Sequence, residues 1–139
     1  MSNFNELLKI GNLHEDEAIK RIEKMKNVKL TMRQGAENFK VIHYDFLTND
    51  NIKYEVKADL LSKKTGNLFI EFIDGRGKIS GLALSTANFY IFYTNDLYIL
   101  ICIEKLKQLT INKPIRRAKD GTKGYIIKWE LIRDAGEII

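Results

Sequence analysis

Cysteine is almost absent from this sequence. Cys102 is the one thiol, set in the apolar run at 98–103. No disulfide framework can hold the fold, and a reducing cytoplasm is the expected setting. Apolar surroundings of that kind mark a buried, inert thiol rather than a nucleophile. Histidine is scarce too: His14 and His43, with Cys102, fall short of the four nitrogen and sulfur ligands of a structural zinc site. No stretch is long and apolar enough to span a bilayer, and no signal-peptide pattern opens the chain. A cytoplasmic location in a bacterial, archaeal or phage-infected cell is therefore expected, with no membrane partner. Repeats, low-complexity tracts and linkers are missing. The 139 residues are expected to form one domain, 1–139, with a basic C-terminal segment over 110–139.

What is present is an apolar share of 45%, enough for a packed core, and a formal net charge of +5. That modest excess suits a partner carrying phosphates without identifying one.

Residues 13–27 carry a helical stripe. Gly11, Glu15, Ala18, Ile22 and Met25 recur at steps of four, three, four and three and so share one face. Glu17, Lys20, Arg21 and Lys24 form a solvated one. Residues 28–32 suit a short strand, and 39–47 a longer one. Thr48-Asn49-Asp50-Asn51 is turn chemistry, and 52–59 alternates apolar with charged residues, so the two segments read as a hairpin. A third strand is expected at 67–73 and a short helix at 80–87 with Ser80 as its cap. Apolar strands follow at 88–94 and 97–103, joined by the turn Asn95-Asp96. A helix over 104–109 and a last strand near 125–131 complete the order, which points to one mixed sheet flanked by helices.

The chemistry-bearing residues sit on the hairpin. Glu55 and Lys57 are two apart on a strand and project to the same side, with Asp59 following. Pairing around the turn brings Asp45 level with residue 54 or 55, so Asp45 and Glu55 can approach. Two close carboxylates repel unless a positive charge lies between them. A divalent cation meets that need, and oxygen ligands suit Mg2+ or Mn2+. An ammonium at Lys57 would then stand beside the attacking water or the developing negative charge. Alternating charges on a strand are ordinarily just its solvated face. What singles these out is the upstream acid, a helical acid and the surrounding order of elements.

Asp45, followed ten residues later by Glu55-Val56-Lys57, resembles the signature of the PD-(D/E)xK nuclease superfamily: an acid, a hairpin, then an acid-x-lysine. The segment Gly11-Asn12-Leu13-His14-Glu15-Asp16-Glu17-Ala18 is similar to the glycine-then-glutamate helix opening of its Holliday-junction resolvases and restriction-like endonucleases. The likeness runs from about residue 11 to residue 94, and Tyr44 stands where the signature often has proline. It implies an α/β fold with a restriction-endonuclease-like mixed sheet core in αβββαβ order. It also implies Mg2+-dependent phosphodiester hydrolysis, with Mn2+ able to substitute, and a metal set of Asp45, Glu55 and Val56. Glu15 is the helical acid expected at the site. It shares the stripe of Ala18 and Ile22, where a glutamate is costly without a partner, although an acid near a helix start also satisfies the dipole.

Asp59 and Glu71 are secondary candidates. Asp59 could contact a second metal or merely end its strand; Glu71, an acid inside the apolar run 68–72, could pair with Lys57 or lie on an edge. His43 shares a strand face with Asp45 but suits a structural role. Lys63, Lys64, Arg76, Lys78 and Ser80 flank the third strand in loops that could meet phosphates, Ser80 at a helix start. Arg116, Arg117 and Lys119 in the basic segment could clamp a DNA backbone. Phe89, Tyr90, Phe92, Tyr93 and Tyr98 read as core or dimer interface.

The expected activity is thus a Mg2+-dependent DNA endonuclease acting on branched or duplex DNA. A junction-resolvase-like, structure-selective enzyme of DNA recombination suits the small size, and symmetric cutting would need a homodimer. A restriction or repair nuclease of the same fold is the nearest rival. A non-catalytic DNA-binding subunit, which need not keep Asp45, Glu55 and Lys57 together, is another, and a basic interaction domain without DNA affinity is the third.

Overall fold

The structure is a computed structural model that describes residues 4–35 and 42–139. Helix α1 (Phe4–Lys26) precedes strands β1 (Leu30–Arg33), β2 (Phe46–Thr48) and β3 (Lys53–Ala58). A single turn, α2 (Ser62–Thr65), leads to β4 (Asn67–Ile73), and another, α3 (Gly81–Leu84), to β5 (Phe89–Thr94) and β6 (Leu97–Cys102). Then come α4 (Ile103–Thr110), β7 (Ile115–Arg117), β8 (Lys123–Lys128), α5 (Trp129–Ala135) and β9 (Glu137–Ile138).

The most apolar strands take the centre. β5 lies parallel to β3 and antiparallel to β6 within a six-stranded sheet of order β1-β2-β3-β5-β6-β9. Its alternation divides the core, because successive side chains leave opposite faces. Tyr90 and Phe92 pack with Leu68, Leu106, Ile127 and Ile132 on one face; Ile91 packs with Ala18, Ile22, Phe46 and Tyr54 on the other. The turn at Asn95 and Asp96 has positive φ at both residues, the hairpin geometry that asparagine and aspartate tolerate best. Helix α1 covers the second face through Ala18 and Ile22 of the expected stripe and Ile19 beside them, while Met25 of that stripe is exposed; the helix ends at Asn27, which takes the left-handed conformation that closes helices. Replacing Ile22, which is fully buried, by alanine should cost about 2–5 kcal/mol in chemical denaturation by opening a cavity under α1.

Several expectations need correction. The single mixed sheet is two sheets: β4 does not join β3 but pairs antiparallel with β8, and β8 with β7, as a second layer. Leu68 and Ile70 of β4 face the large sheet instead of extending it. Of the strand expected over 39–47, residues 39–41 lie outside the described residues, and among the rest strand begins only at Phe46, in β2. His43 and Tyr44 are not strand, because the His43 carbonyl is taken by the Thr86 amide on the far side of α3. Helix α1 starts well before residue 13 and runs through Gly11. The basic segment 110–139 holds β7, β8, α5 and β9, and the last strand expected near 125–131 turns helical at Trp129. Strand β9 returns to pair with β6 at the edge of the large sheet. No helix among the described residues is long and apolar enough to cross a membrane.

Candidate active site

The site lies where β2 parts from β3. The two strands pair only at Phe46↔Tyr54 and Leu47↔Lys53, and the Asp45 amide adds one bond to the Tyr54 carbonyl at 2.8 Å. The backbone then bends, and the next donor along β3, the Val56 amide, is taken by the Asp45 side chain at 2.6 Å. A carboxylate thus replaces a missing ladder carbonyl and satisfies a group that would otherwise be orphaned. The result is a notch in the sheet edge with Asp45 in it and Glu55, Val56 and Lys57 along its wall.

Register fixes what faces the notch. Glu55 is level with Tyr90 and Lys57 with Phe92 on β5, so both project to the face opposite α1. The Lys57 ammonium lies 3.9 Å from Glu55 Oε2. Glu15 comes from α1 on the other face. Arg33 of β1 holds it, Nε to Oε1 at 2.8 Å, and holds Asp16 at 2.7 Å. The Asp45 carbonyl accepts from the Gln34 amide at 2.8 Å, which ties β1 to the same point. Because β2 has ended there, charges from both faces meet across the edge.

Electrostatics record that meeting. Burial, then the charge of Asp45, push the Glu55 carboxyl up to about 8 against the pull of Lys57, with Glu15 adding a smaller push. Burial raises Asp45 as well, opposed by the Val56 amide and by Lys57 and Arg33. Glu15 is raised by burial and by Asp45, and the Arg33 hydrogen bond works the other way. Acids with carboxyls lifted by burial and mutual repulsion, in an open groove, mark a functional site more often than a structural one.

Two cavities adjoin the notch and share Lys57. A cleft of about 830 Å³ runs between α1 and the sheet edge, with Glu15, Arg33, Asp45, Val56 and Lys57 on its walls. A second, about 420 Å³, is lined by His43, Glu55, Lys57, Glu71 and Ser85. Glu71 thus stands near Lys57, and His43 near Glu55. Gly81 of α3 is needed there: it has φ +49, and a Cβ would collide with the Glu71 carbonyl.

Asp59 is elsewhere. Its two oxygens accept from the Ser62 and Phe69 amides at 3.0 and 3.1 Å, so it caps the turn after β3. Ser80 precedes α3, but its side chain makes no cap bond and its hydroxyl is buried. The Ser80 hydroxyl, which could have met a phosphate at a helix start, instead lies buried without a hydrogen-bond partner before a four-residue helix. Lys63 pairs with Asp96 at 2.7 Å and Arg76 with Asp74 at 3.0 Å, while Lys64 and Lys78 are exposed. Arg116 and Arg117 lie exposed on β7, the edge of the small sheet, with Arg116 over the Phe69 ring and Lys119 just beyond. Phe92, Tyr90 and Tyr98 are core, as expected, with Phe89 and Tyr93 half-buried beside them.

Arg33 and Gln34 escaped the sequence reading. Their one signal was position: they directly follow a strand expected to end at residue 32.

The donors at the notch are all oxygens. Among the described residues, no three His, Cys, Asp or Glu side chains are gathered closely enough to hold a metal ion between them. Two carboxylates and a backbone carbonyl remain a fitting set for Mg2+, which keeps several of its waters and takes only one or two carboxylates from a protein. No family model matches this chain, and no curated protein and no solved structure matches it.

Proposed function

We propose that this chain is a Mg2+-dependent DNA endonuclease that hydrolyses phosphodiester bonds, selective for branched DNA, on a restriction-endonuclease-like core. The observation that carries the reading is the convergence of Asp45, Glu55 and Lys57 at one notch. Strand geometry adds to it. The amide and carbonyl of one strand residue point to the same edge, and the Val56 amide points to Asp45, so the Val56 carbonyl is directed to the notch as well.

Asp45, Glu55 and the Val56 carbonyl would hold Mg2+, and Mn2+ could substitute. A bound divalent cation supplies polarisation of a phosphoryl oxygen and acidification of a water. Lys57 provides a fixed positive charge next to the reacting phosphate, where negative charge accumulates in the transition state. Glu15, held by Arg33, orients polar groups at the mouth of the cleft from the α1 side.

DNA contact beyond the notch falls to cations that no acid sequesters. Arg116 and Arg117, exposed on β7 at the edge of the small sheet and without an acid partner among the described residues, are two of these. Each phosphate contact on duplex DNA contributes about 0.9 to the slope of log K against log salt. The Arg116→Ala, Arg117→Ala pair should therefore flatten that slope by about 2, measured by fluorescence anisotropy across a salt series.

The decisive test is incubation of the protein with junction, flap, nicked and linear DNA, with and without Mg2+, beside Glu55→Gln. Cleavage only with Mg2+, fastest on branched substrates and lost in Glu55→Gln, is the expected pattern. Well-folded parent protein that cuts none of the four removes the reading. DNA binding without cutting would favour a non-catalytic subunit.

A further inference from the structure

Helix α1 outruns the sheet it packs on. Its buried stripe runs through Ile22 and Ala18, which meet Tyr54 and Ile91 on the sheet. The same stripe continues towards the N-terminus at steps of three and four as Glu15, Gly11, Leu8 and Leu7. There the sheet has ended. Leu7 and Leu8 are 54% and 51% exposed, and together with Gly11 they form the wall of the large cleft that faces Asp45, Val56 and Lys57.

A core-facing stripe left exposed among the described residues, beside charged groups, calls for an apolar occupant. The sugar-phosphate backbone cannot supply one, and it is matched instead by Lys57 and the cation-seeking carboxylates. The faces of the bases can. In a continuous duplex those faces are covered by stacking, and only edges are offered to a protein. At a branch, flap or single-stranded step a face is free or cheaply freed, and leucine is among the side chains that proteins insert between bases. The cleft, about 830 Å³, is within the range of about 300–1,000 Å³ typical of sites that enclose a small ligand, which is room for one nucleotide and part of its neighbour. Gly11 borders that room: among the described residues, nothing outside its own helix turn lies within 4 Å of where its Cβ would be.

We propose that Leu7 and Leu8 form a wedge that receives an unstacked base beside the phosphate held at Asp45, Glu55 and Lys57, which makes DNA with interrupted stacking the substrate class. The wedge rests on the nuclease reading and gives it a structural basis for preferring branched DNA. A second copy of this chain is the rival occupant. It is disfavoured because both leucines line the cleft that carries the acids.

The test uses 2-aminopurine, whose fluorescence rises when it unstacks, placed at the branch point of a four-way junction and, separately, within a matched duplex. Protein carrying Glu55→Gln, to prevent cutting, is added in Mg2+, with binding followed by anisotropy. With both leucines intact, fluorescence should rise several-fold at the branch and not in the duplex. With Leu7→Asn and Leu8→Asn the rise should disappear from the bound complex, and Leu7→Met with Leu8→Met should restore it. In the cleavage-competent chain, the asparagine pair should lower the branched-to-linear cleavage ratio about tenfold. An equal fluorescence rise with leucine and asparagine overturns the wedge, as does a fall in oligomeric mass caused by the asparagine pair, which would assign these leucines to a second copy. Cleavage by a parent that leaves the probe dark removes the wedge and spares the nuclease. Unstacking by a parent that never cuts removes the nuclease and spares the wedge.

Discussion

Replacing Lys57 by alanine should lower Mg2+-dependent cleavage by about a hundred- to a thousandfold and leave the folded state nearly as stable as before. The size follows from the role: one preorganised donor aimed at developing negative charge is worth about that much in turnover. The indifference of the fold follows from geometry. The Lys57 side chain is half exposed and its nearest acid, Glu55 Oε2, is 3.9 Å away, a loose pair in water's reach. Pairs of that kind contribute about 0–1 kcal/mol. The loss should appear mainly in kcat, with a smaller rise in KM, since the Lys57 charge meets the bound phosphate but is matched best to the charge of the transition state. Steady-state kinetics on a junction substrate, beside a urea denaturation of the same two proteins, reads both halves. Cleavage by Lys57→Ala at the parent rate would take the lysine out of the chemistry and strip β3 of its meaning as a catalytic strand.

The notch was legible in the sequence because it is local. A tight turn at 48–51 fixes the register of β2 on β3, and that alone brings Asp45 to the level of Glu55. Lys57 follows from the two-residue period of a strand. The same reasoning failed at the edges of elements. Gly11 reads as a helix opening, yet α1 runs through it, because a glycine costs a helix only about 1 kcal/mol, which the packing of Ala18, Ile19 and Ile22 farther along the same helix outweighs. Within the strand expected over 39–47, the described residues before Phe46 are not strand, because the Asp45 side chain, not a backbone carbonyl, answers the Val56 amide. No local pattern announces such an exchange.

Tertiary partners were the other blind spot. Strand β4 alternates like any half-buried strand, and nothing in its residues says that it pairs with β8, more than fifty residues away, rather than with β3 next to it. Arg33 reaches Glu15 across 18 residues and two elements, so it left no spacing to read. The run from Tyr125 to Leu131 is short and apolar, where helix and strand are hardest to tell apart, and it holds both: β8, then α5. The mixed α/β class survived these errors because it depends on the order of elements and on the apolar centre at β5 and β6, not on where each element stops.

Without a divalent cation the protein should lose stability as pH rises from about 5 to about 8, and Mg2+ should return it. Burial and the Asp45 charge raise the Glu55 carboxyl from its ordinary 4.5 to about 8. Between those values the folded state keeps a proton that the unfolded chain has released. More protons bound to the folded than to the unfolded state means that stability falls with rising pH, by up to about 1.4 kcal/mol per pH unit for one proton, and then levels off above the folded value. Asp45 and Glu15, raised for the same reason, push in the same direction. A cation bound between ionised carboxylates reverses this, because it binds the folded state and competes with the proton; its stabilising effect should be small near pH 5 and largest near pH 8. Glu55→Gln removes the charge that burial opposes. That variant should be more stable than the parent at pH 8 without Mg2+, vary less with pH, and gain little from the metal. Urea denaturation of both proteins at pH 5, 6.5 and 8, with and without Mg2+, reads all of these terms. A parent whose stability is flat or rising over that interval, or a variant that Mg2+ stabilises as much as the parent, would mean that Glu55 is an ordinary carboxylate and the notch is not a cation site.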